Sequence, residues 1–322
     1  MILAADIGGT KTLLQLSRAG AAGLEVLREQ RFDSEAYADF ESLLNEFLQA
    51  ARAAGITDIT AACIAVAGPV TGAQAKVTNL PWLIRADVLK QRFSIPRLRL
   101  INDFQAVGYG IDAITANDML VLQAGRPEAR APRAVIGAGT GLGEGILVWQ
   151  QDHYEVLPSE GGHVDFAPTS AVQRDFLAHM CERQARLSYE EVLSGKGLVS
   201  LYRFFVQRHG ATPLALDFDA AAVSNAAERG DVSAEQAVEM FVRIYGAQAG
   251  NLALTSLAAG GVYVAGGIAP RIRERMTDGT FIAAFCDKGA MKSLLTHYPV
   301  ALILDTTIGL KGAALVAQRL LV

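Results

Sequence analysis

Along this chain, short continuous apolar runs that end at glycine alternate with longer stretches in which apolar residues recur every three or four positions. Ile2 to Ile7 is a run of the first kind, closing on Gly8-Gly9, and predicts a buried strand. Leu13 to Leu16 and Leu24 to Phe32 continue as strands, with Gly20 and Gly23 marking a hairpin turn between them. Phe40, Leu43, Leu44, Phe47, Leu48 and Ala51 then form one helical stripe, which Gly55 ends. Ala61 to Ala67, closed by Gly68-Pro69, and Arg97 to Ile101 read as further strands, and Asn102-Asp103 caps the next element.

The second half repeats the theme. Ala134 to Ile136 leads into a glycine-rich turn over 137–145, followed by a strand from Ile146 to Trp149. From about Ala171 to Tyr245 the pattern is helical, with Phe176, Leu177 and Met180 on one face. Val238, Phe241, Val242 and Tyr245 share a face of a long helix running toward Leu257, halted by Gly260-Gly261. Val262 to Ala265 is a buried strand ending in Gly266-Gly267, and a last helix covers Leu310 to Leu320. Strands alternating with helices predict an α/β protein.

Composition narrows the class. At 322 residues the chain is long enough for two cores. Twenty-nine basic against 33 acidic residues give a formal charge of −4, which argues against a nucleic-acid partner. Cys63, Cys181 and Cys286 are too few and too scattered for a disulfide framework or a zinc clip, so a reducing, cytoplasmic setting is expected. No basic, apolar leader opens the chain, and no apolar run reaches the roughly 18 residues of a membrane span, so no membrane partner is expected. Glycine is in surplus, 31 of 322 residues against an average of about 7%.

That surplus gathers where strands end. Gly8-Gly9, Gly139-Thr140-Gly141 and Gly266-Gly267 each expose backbone N–H groups with no side chain in the way, as a phosphate cradle requires. Asp6 adds a carboxylate suited to the water shell of Mg²⁺. Taken singly, each is equally a tight turn. The dinucleotide fingerprint fails because Leu142 stands where its third glycine belongs. Ser194-Gly195-Lys196-Gly197 has neither the spacing nor the hydroxyl of a P-loop.

Four polar segments sit in apolar surroundings: Thr78-Asn79-Leu80-Pro81-Trp82, Ile101-Asn102-Asp103-Phe104, Ser159-Glu160-Gly161-Gly162-His163 and Ser188-Tyr189-Glu190-Glu191. Their carboxylates, carboxamides and imidazole suit sugar hydroxyls, which both donate and accept. Asp103, at a strand end, is the natural general base for a hydroxyl nucleophile. Plainer roles compete: Asn102 or Asp103 as a helix cap, Asn79 as a turn residue, His163 as a hydrogen-bonded histidine outside any site.

Taken in order, ADIGGT, TNLPW, INDF, GAGTGLG, SEGGH, YEEVLSG and AGGIAP resemble the bacterial glucokinase family, hexose kinases of the sugar kinase, actin and heat-shock ATPase superfamily. The resemblance spans nearly the whole length. It implies a two-lobed, ribonuclease-H-like (actin-like ATPase) α/β fold, with mixed sheets flanked by helices and an active site in the cleft between lobes. Residues 1–107 with 308–322 would form the smaller lobe, and 108–307 the larger.

The activity implied is transfer of the γ-phosphoryl group of ATP, with Mg²⁺, to the 6-hydroxyl of D-glucose. Carried over onto matching positions, Asn79, Asn102, Asp103, Glu160, His163 and Glu190 hold the sugar, and Asp103 is the base. Glu190 is taken over Glu191 by counting back from Leu193-Ser194-Gly195. Ala5, Asp6, Ile7, Gly8, Gly9, Thr10, Gly139, Thr140, Gly141, Gly266 and Gly267 receive ATP, and Asp6 holds Mg²⁺ through water. Similar kinases are often dimers, so a homodimer is expected. Family members often carry Asn where this chain has Lys11.

Rival readings are a kinase for fructose, mannose or an N-acetylhexosamine, and a non-catalytic sugar-sensing protein. The neighbouring repressor and sugar-kinase group shares a Glu-x-Gly-His segment, but its zinc-binding cysteine cluster has only Cys181 as a counterpart here. A repressor would be expected to carry a helix-turn-helix arm ahead of the first strand. A silent sensor would be expected to lose the base, and Asp103 is present.

Overall fold

A computed structural model describes residues 1–20, 23–213 and 218–321. The chain divides into two compact units, Met1–Thr115 with Thr307–Val322, and Ala116–Thr306.

The first unit is built on a five-stranded sheet. In chain order its elements are β1 (Ile2–Ile7), β2 (Lys11–Gly20), β3 (Gly23–Asp33), α1 (Phe40–Ala53) and β4 (Ala61–Val66). A small antiparallel sheet comes next, of β5 (Val70–Thr71), β6 (Gln74–Lys76) and β7 (Leu83–Arg85). Then come α2 (Ala86–Phe93), β8 (Arg97–Asn102) and α3 (Asp103–Gly110). The main sheet runs β3-β2-β1-β4-β8, with β1, β4 and β8 parallel and the hairpin antiparallel. The two residues of the hairpin turn itself lie outside the described set. Every residue of β4 is buried, as befits a central parallel strand covered on both faces.

Helix α1 buries all six residues of its predicted stripe, and the Asp39 side chain caps it by accepting from Ser42 N at 2.7 Å. Such a cap contributes about 1 kcal/mol. The C-terminal helix (Ile308–Arg319) returns to pack on β1 and α3. A methyl group on Gly312 would overlap the Ala106 carbonyl, so glycine is what lets the two backbones come this close.

The second unit carries a six-stranded sheet of β9 (Met119–Gln123), β10 (Arg133–Ala138), β11 (Leu142–Gln150), β12 (His153–Leu157), β13 (Gly261–Ala265) and β14 (Val300–Ile303). Its order is β12-β11-β10-β13-β14-β9, with β10, β13 and β14 parallel. Between β12 and β13 lie α4 (Ala171–Cys181), α5 (Tyr189–Val192), α6 (Gly195–His209), α7 (Ala220–Glu228) and α8 (Val232–Ser256). After β13 come α9 (Arg273–Thr277), α10 (Thr280–Cys286) and α11 (Lys292–Leu295). Val238, Phe241, Val242 and Tyr245 of α8 are buried together in the core of this unit.

Three details depart from the pattern read in the sequence. The helical stretch over 171–245 is cut into five helices, because Ser188, Ser194, Asp219 and Asp231 each cap a new one; residues 214–217 of that stretch lie outside the described set. The strand expected from Ile146 starts at Leu142, since Gly143 and Gly145 pair with Gly137 and Val135 through the backbone alone. Strands β5, β6, β7, β9, β12 and β14 add to the predicted set; β12 comes after a turn at Gln151, whose φ is 54°. Among the described residues no helix is long and apolar enough to cross a membrane.

Candidate active site

In the first unit the candidate residues gather where the parallel strands end. Asp6 lies near the end of β1, and its Oδ2 rests against Gly309 in the first turn of the C-terminal helix. Burial pushes its carboxyl up to about 6, against a smaller opposing pull from the Lys11 ammonium. No hydrogen bond or ion pair from a described residue satisfies that carboxylate. The turn after it is tight: Gly8 N donates to Lys11 O at 2.9 Å, and Ser34 Oγ donates to Gly8 O at 3.0 Å.

Asn102 and Asp103 stand where β8 becomes α3. Asn102 is the N-cap: its Oδ1 accepts from Phe104 N at 2.8 Å, while its Nδ2 donates to Gly68 O at 3.2 Å. Asp103 is the first residue of the helix, with Oδ1 accepting from Phe104 N at 2.9 Å. Its carboxyl is pushed up to about 7, first by burial and then by the Asp6 carboxylate. The two acids therefore feel one another. Asn79 occupies a left-handed position at φ 66° and lines a cavity of about 420 Å³ with Pro69, Lys76 and Thr78. Asn102 and Asn79 thus hold the cap and turn positions that the sequence set against a sugar-binding role.

In the second unit the polar segments meet through backbone pairing. Glu160 precedes a helical turn, Gly161–His163, and the chain leaving it pairs with the approach to α5: Tyr189 N donates to Val164 O at 3.0 Å, and Phe166 N to Leu187 O at 2.8 Å. This brings His163 Nδ1 to 3.8 Å from Glu190 Oε1 and His163 Nε2 to 3.9 Å from Glu160 Oε2. Those separations exceed a hydrogen bond, so the three side chains stand near one another without being bonded together. Glu160 and His163 are exposed.

The neighbouring glutamates divide their work. Glu191 completes a capping box, its Oε2 accepting from Ser188 N at 2.7 Å and Ser188 Oγ at 2.9 Å. Glu190 instead turns to the glycine loop, where its Oε2 accepts from Leu142 N at 3.0 Å. Geometry thus puts Glu190, and not Glu191, beside His163.

The loop at 139–141 is fastened to α6, since Gly139 N donates to Gly141 O at 2.8 Å and Gly195 N to Gly139 O at 2.9 Å. Gly266, at φ 84°, packs on the backbone of Ala138, bringing the two glycine turns side by side. Beside them opens a cavity of about 740 Å³ lined by Gly139, Thr140, Gly267, Lys196, Phe218 and Arg271. Phe218 is held edge-on by Tyr202 at 5.2 Å and covered by the Arg203 guanidinium at 5.3 Å. This wall is absent from the residues singled out in the sequence. Its one local signal is Ser194-Gly195-Lys196, which fails as a P-loop yet opens the helix on which the cradle rests.

A model of the family described as glucokinase matches residues 3–320. The chain belongs to the glucokinase family. It is 41% identical to the glucokinase of Nostoc sp., over 99% of both chains. Among solved structures, it resembles a glucokinase from an Antarctic psychrotroph, at 33% identity and a TM-score of 0.87, covering 99% of this chain and 98% of that one. A glucokinase from Balamuthia mandrillaris in complex with glucose, 23% identical, shares the fold at a TM-score of 0.82, over 98% of this chain and 93% of that one. The fold is accordingly the α/β, actin-like ATPase fold of the sugar kinases.

Proposed function

We propose that the protein is a glucokinase that transfers the γ-phosphoryl group of ATP to the 6-hydroxyl of D-glucose. The observation that carries this reading is Asp103: a carboxylate at a strand end, pushed up to about 7 by burial and by Asp6. A base with its pKa near neutrality combines availability with driving force for taking a hydroxyl proton. Asp103 accepts the proton of the 6-hydroxyl as that oxygen attacks phosphorus, which leaves the nucleotide as ADP. Asn79, Asn102, Glu160, His163 and Glu190 fix the remaining hydroxyls, and so choose which oxygen is presented.

The cavity beside Gly139–Gly141 and Gly266-Gly267 suits the nucleotide, with the backbone N–H groups of Thr140 and Gly267 for phosphate oxygens and Phe218 as an apolar wall for the base. Asp6 fits Mg²⁺: it is an oxygen donor with no hydrogen-bond partner among the described residues, and burial holds its pKa up, a strain that a cation would relieve. A single carboxylate suits an ion that brings most of its ligands as water and phosphate. Bound with ATP, the ion supplies neutralising charge at the phosphoryl oxygens.

A coupled assay over glucose, fructose, mannose and N-acetylglucosamine, with ATP, ADP and polyphosphate as donors, tests the reading. Glucose with Mg·ATP is expected to give the highest kcat/KM. A flat response to that pair would overturn it.

A further inference from the structure

Glu144 is an anomaly in the second unit. It lies on β11, behind the residues so far given roles, and is 5% exposed; it is the only Asp, Glu, Lys or Arg among the buried described residues. Burying a carboxylate costs several kcal/mol unless something compensates. A chain of hydrogen bonds does so. Lys288 Nζ donates to Asn251 Oδ1 at 2.7 Å, Asn251 Nδ2 to Gln248 Oε1 at 3.1 Å, and Gln248 Nε2 to Glu144 Oε1 at 2.8 Å. Every donor points the same way, from ammonium to carboxylate, so the bonds polarise one another. Lys288 is tied down further by donating to Ala247 O at 2.8 Å.

Both the middle and the far end of this network reach the segments that carry Glu160, His163 and Glu190. Asn251 Nδ2 also donates to the Tyr189 hydroxyl at 3.3 Å, and Tyr189 directly precedes Glu190. The other carboxylate oxygen, Glu144 Oε2, accepts no hydrogen bond from a described residue and abuts Gly161, directly after Glu160. A methyl group built on Gly161 would overlap it. Gly162 packs equally closely on Leu142 O of the same strand. The turn bearing Glu160 and His163 is therefore seated on β11, with Glu144 beneath it.

We propose that Glu144 is a positioning residue for the hexose: its buried carboxylate, anchored through Gln248 and Asn251 to Lys288, sets the height of the Glu160–His163 turn and, through Tyr189, the placement of Glu190. Glu144 touches no reacting atom in this assignment. It acts on hexose affinity and leaves the nucleotide cavity alone, because none of the network residues lines that cavity. The assignment rests on the hexose-kinase reading above.

The experiment is a pairwise cycle of Glu144→Ala and Gly161→Ala in the full-length protein, reading glucose KM, ATP KM, kcat and Tm. Glu144→Ala is expected to raise glucose KM about tenfold with ATP KM within about twofold of wild type. Glu144→Gln, whose amide oxygen still accepts from Gln248, should recover most of that loss. Gly161→Ala alone should raise glucose KM at least as much. In the Glu144→Ala background, where the overlapping carboxylate is gone, the further rise should be about threefold or less. Lys288→Met supplies a second route should Glu144→Ala fail to fold, with a smaller rise in glucose KM only.

Two KM values that rise in parallel, or single effects that simply multiply, would overturn the assignment. Wild-type turnover of glucose separates the two claims: its absence sinks the hexose-kinase reading itself. Normal wild-type turnover with an unmoved glucose KM in Glu144→Ala, or in Lys288→Met if that is the variant that folds, sinks this assignment alone.

Discussion

The two units open with the same device and put different chemistry on it. In each, an antiparallel hairpin is joined to three parallel strands, β3-β2-β1-β4-β8 in one and β12-β11-β10-β13-β14 in the other. In each, the turn between the first parallel strand and its hairpin partner is glycine-rich. Aligning the last paired residues, Ile7 with Thr12 and Ala138 with Leu142, sets Asp6 opposite Gly137. One unit thus has a carboxylate where the other has no side chain. Burial holds Asp6 and Asp103 well above the carboxylate range, and the Asp6 charge adds to the push on Asp103, whereas Glu160 and His163 stand out into solvent. Topology supplies the same turn twice; desolvation sets the two apart, burying carboxylates in one unit and leaving the polar side chains of the other in solvent.

The largest expected effect tests that division directly. Asp103→Asn keeps the acceptor for Phe104 N and so the local fold, but removes the base. Its kcat should fall by about 10²–10⁴-fold, while glucose affinity measured by calorimetry stays within a few fold. Near wild-type kcat would place the base elsewhere and erase the contrast between units. Next in size is the pair Glu190→Gln and Glu191→Gln. Glu190→Gln should raise glucose KM about tenfold or more, at least about 1.4 kcal/mol. Glu191→Gln should leave KM unchanged and lower stability by at most about 1 kcal/mol, since Glu191 serves the cap. The reverse pattern in steady-state kinetics would exchange their roles.

Much of this is legible in the residues, and the rest is hidden for physical reasons. The buried strands β1, β4 and β13 announce themselves as apolar runs ending in glycine, and α1 as a full stripe, because in each the burial pattern is imposed by one sheet or one face. The edge strand β9 is half-buried almost throughout and shows no period, while β12 alternates but over only five residues, too short a run to stand out. Glu190 can be told from Glu191 by spacing: Ser188-Tyr189-Glu190-Glu191 has the Ser-x-x-Glu form of a capping box, which claims the second glutamate. Phe218, Lys196 and Arg271 meet at one cavity from three distant segments, and no local pattern encodes such a meeting. Glu144 hides in a glycine-rich run, where its burial depends on α8, about a hundred residues away.

A smaller effect probes the binding cradle. Phe218→Ala removes the aromatic wall that Tyr202 and Arg203 hold in place. Loss of an aromatic contact of about 0.5–1.5 kcal/mol should raise ATP KM roughly twofold to tenfold. Glucose KM and the pH profile of kcat should not move. A change confined to glucose KM would assign this cavity to the sugar and reverse the roles of the two units.

The smallest effect is on stability, and it comes from the same desolvation that lifts the Asp103 carboxyl toward neutrality. Its carboxyl titrates at about 7 when folded, against about 3.9 in an unfolded chain. Between those values the folded state holds the extra proton, so stability falls as pH rises through that window, and the full cost is present above about 7. Asp103→Asn removes the cost. The variant should therefore melt higher than wild type at pH 8, by several degrees. Its advantage should shrink steadily toward about pH 4 and vanish below. Glu160→Gln, on an exposed side chain, should leave Tm nearly unchanged at every pH. Melting curves of the three proteins from about pH 4 to 8 check this, and an Asp103→Asn curve parallel to wild type would mean that Asp103 is not desolvated and that the contrast between the units lies in position alone.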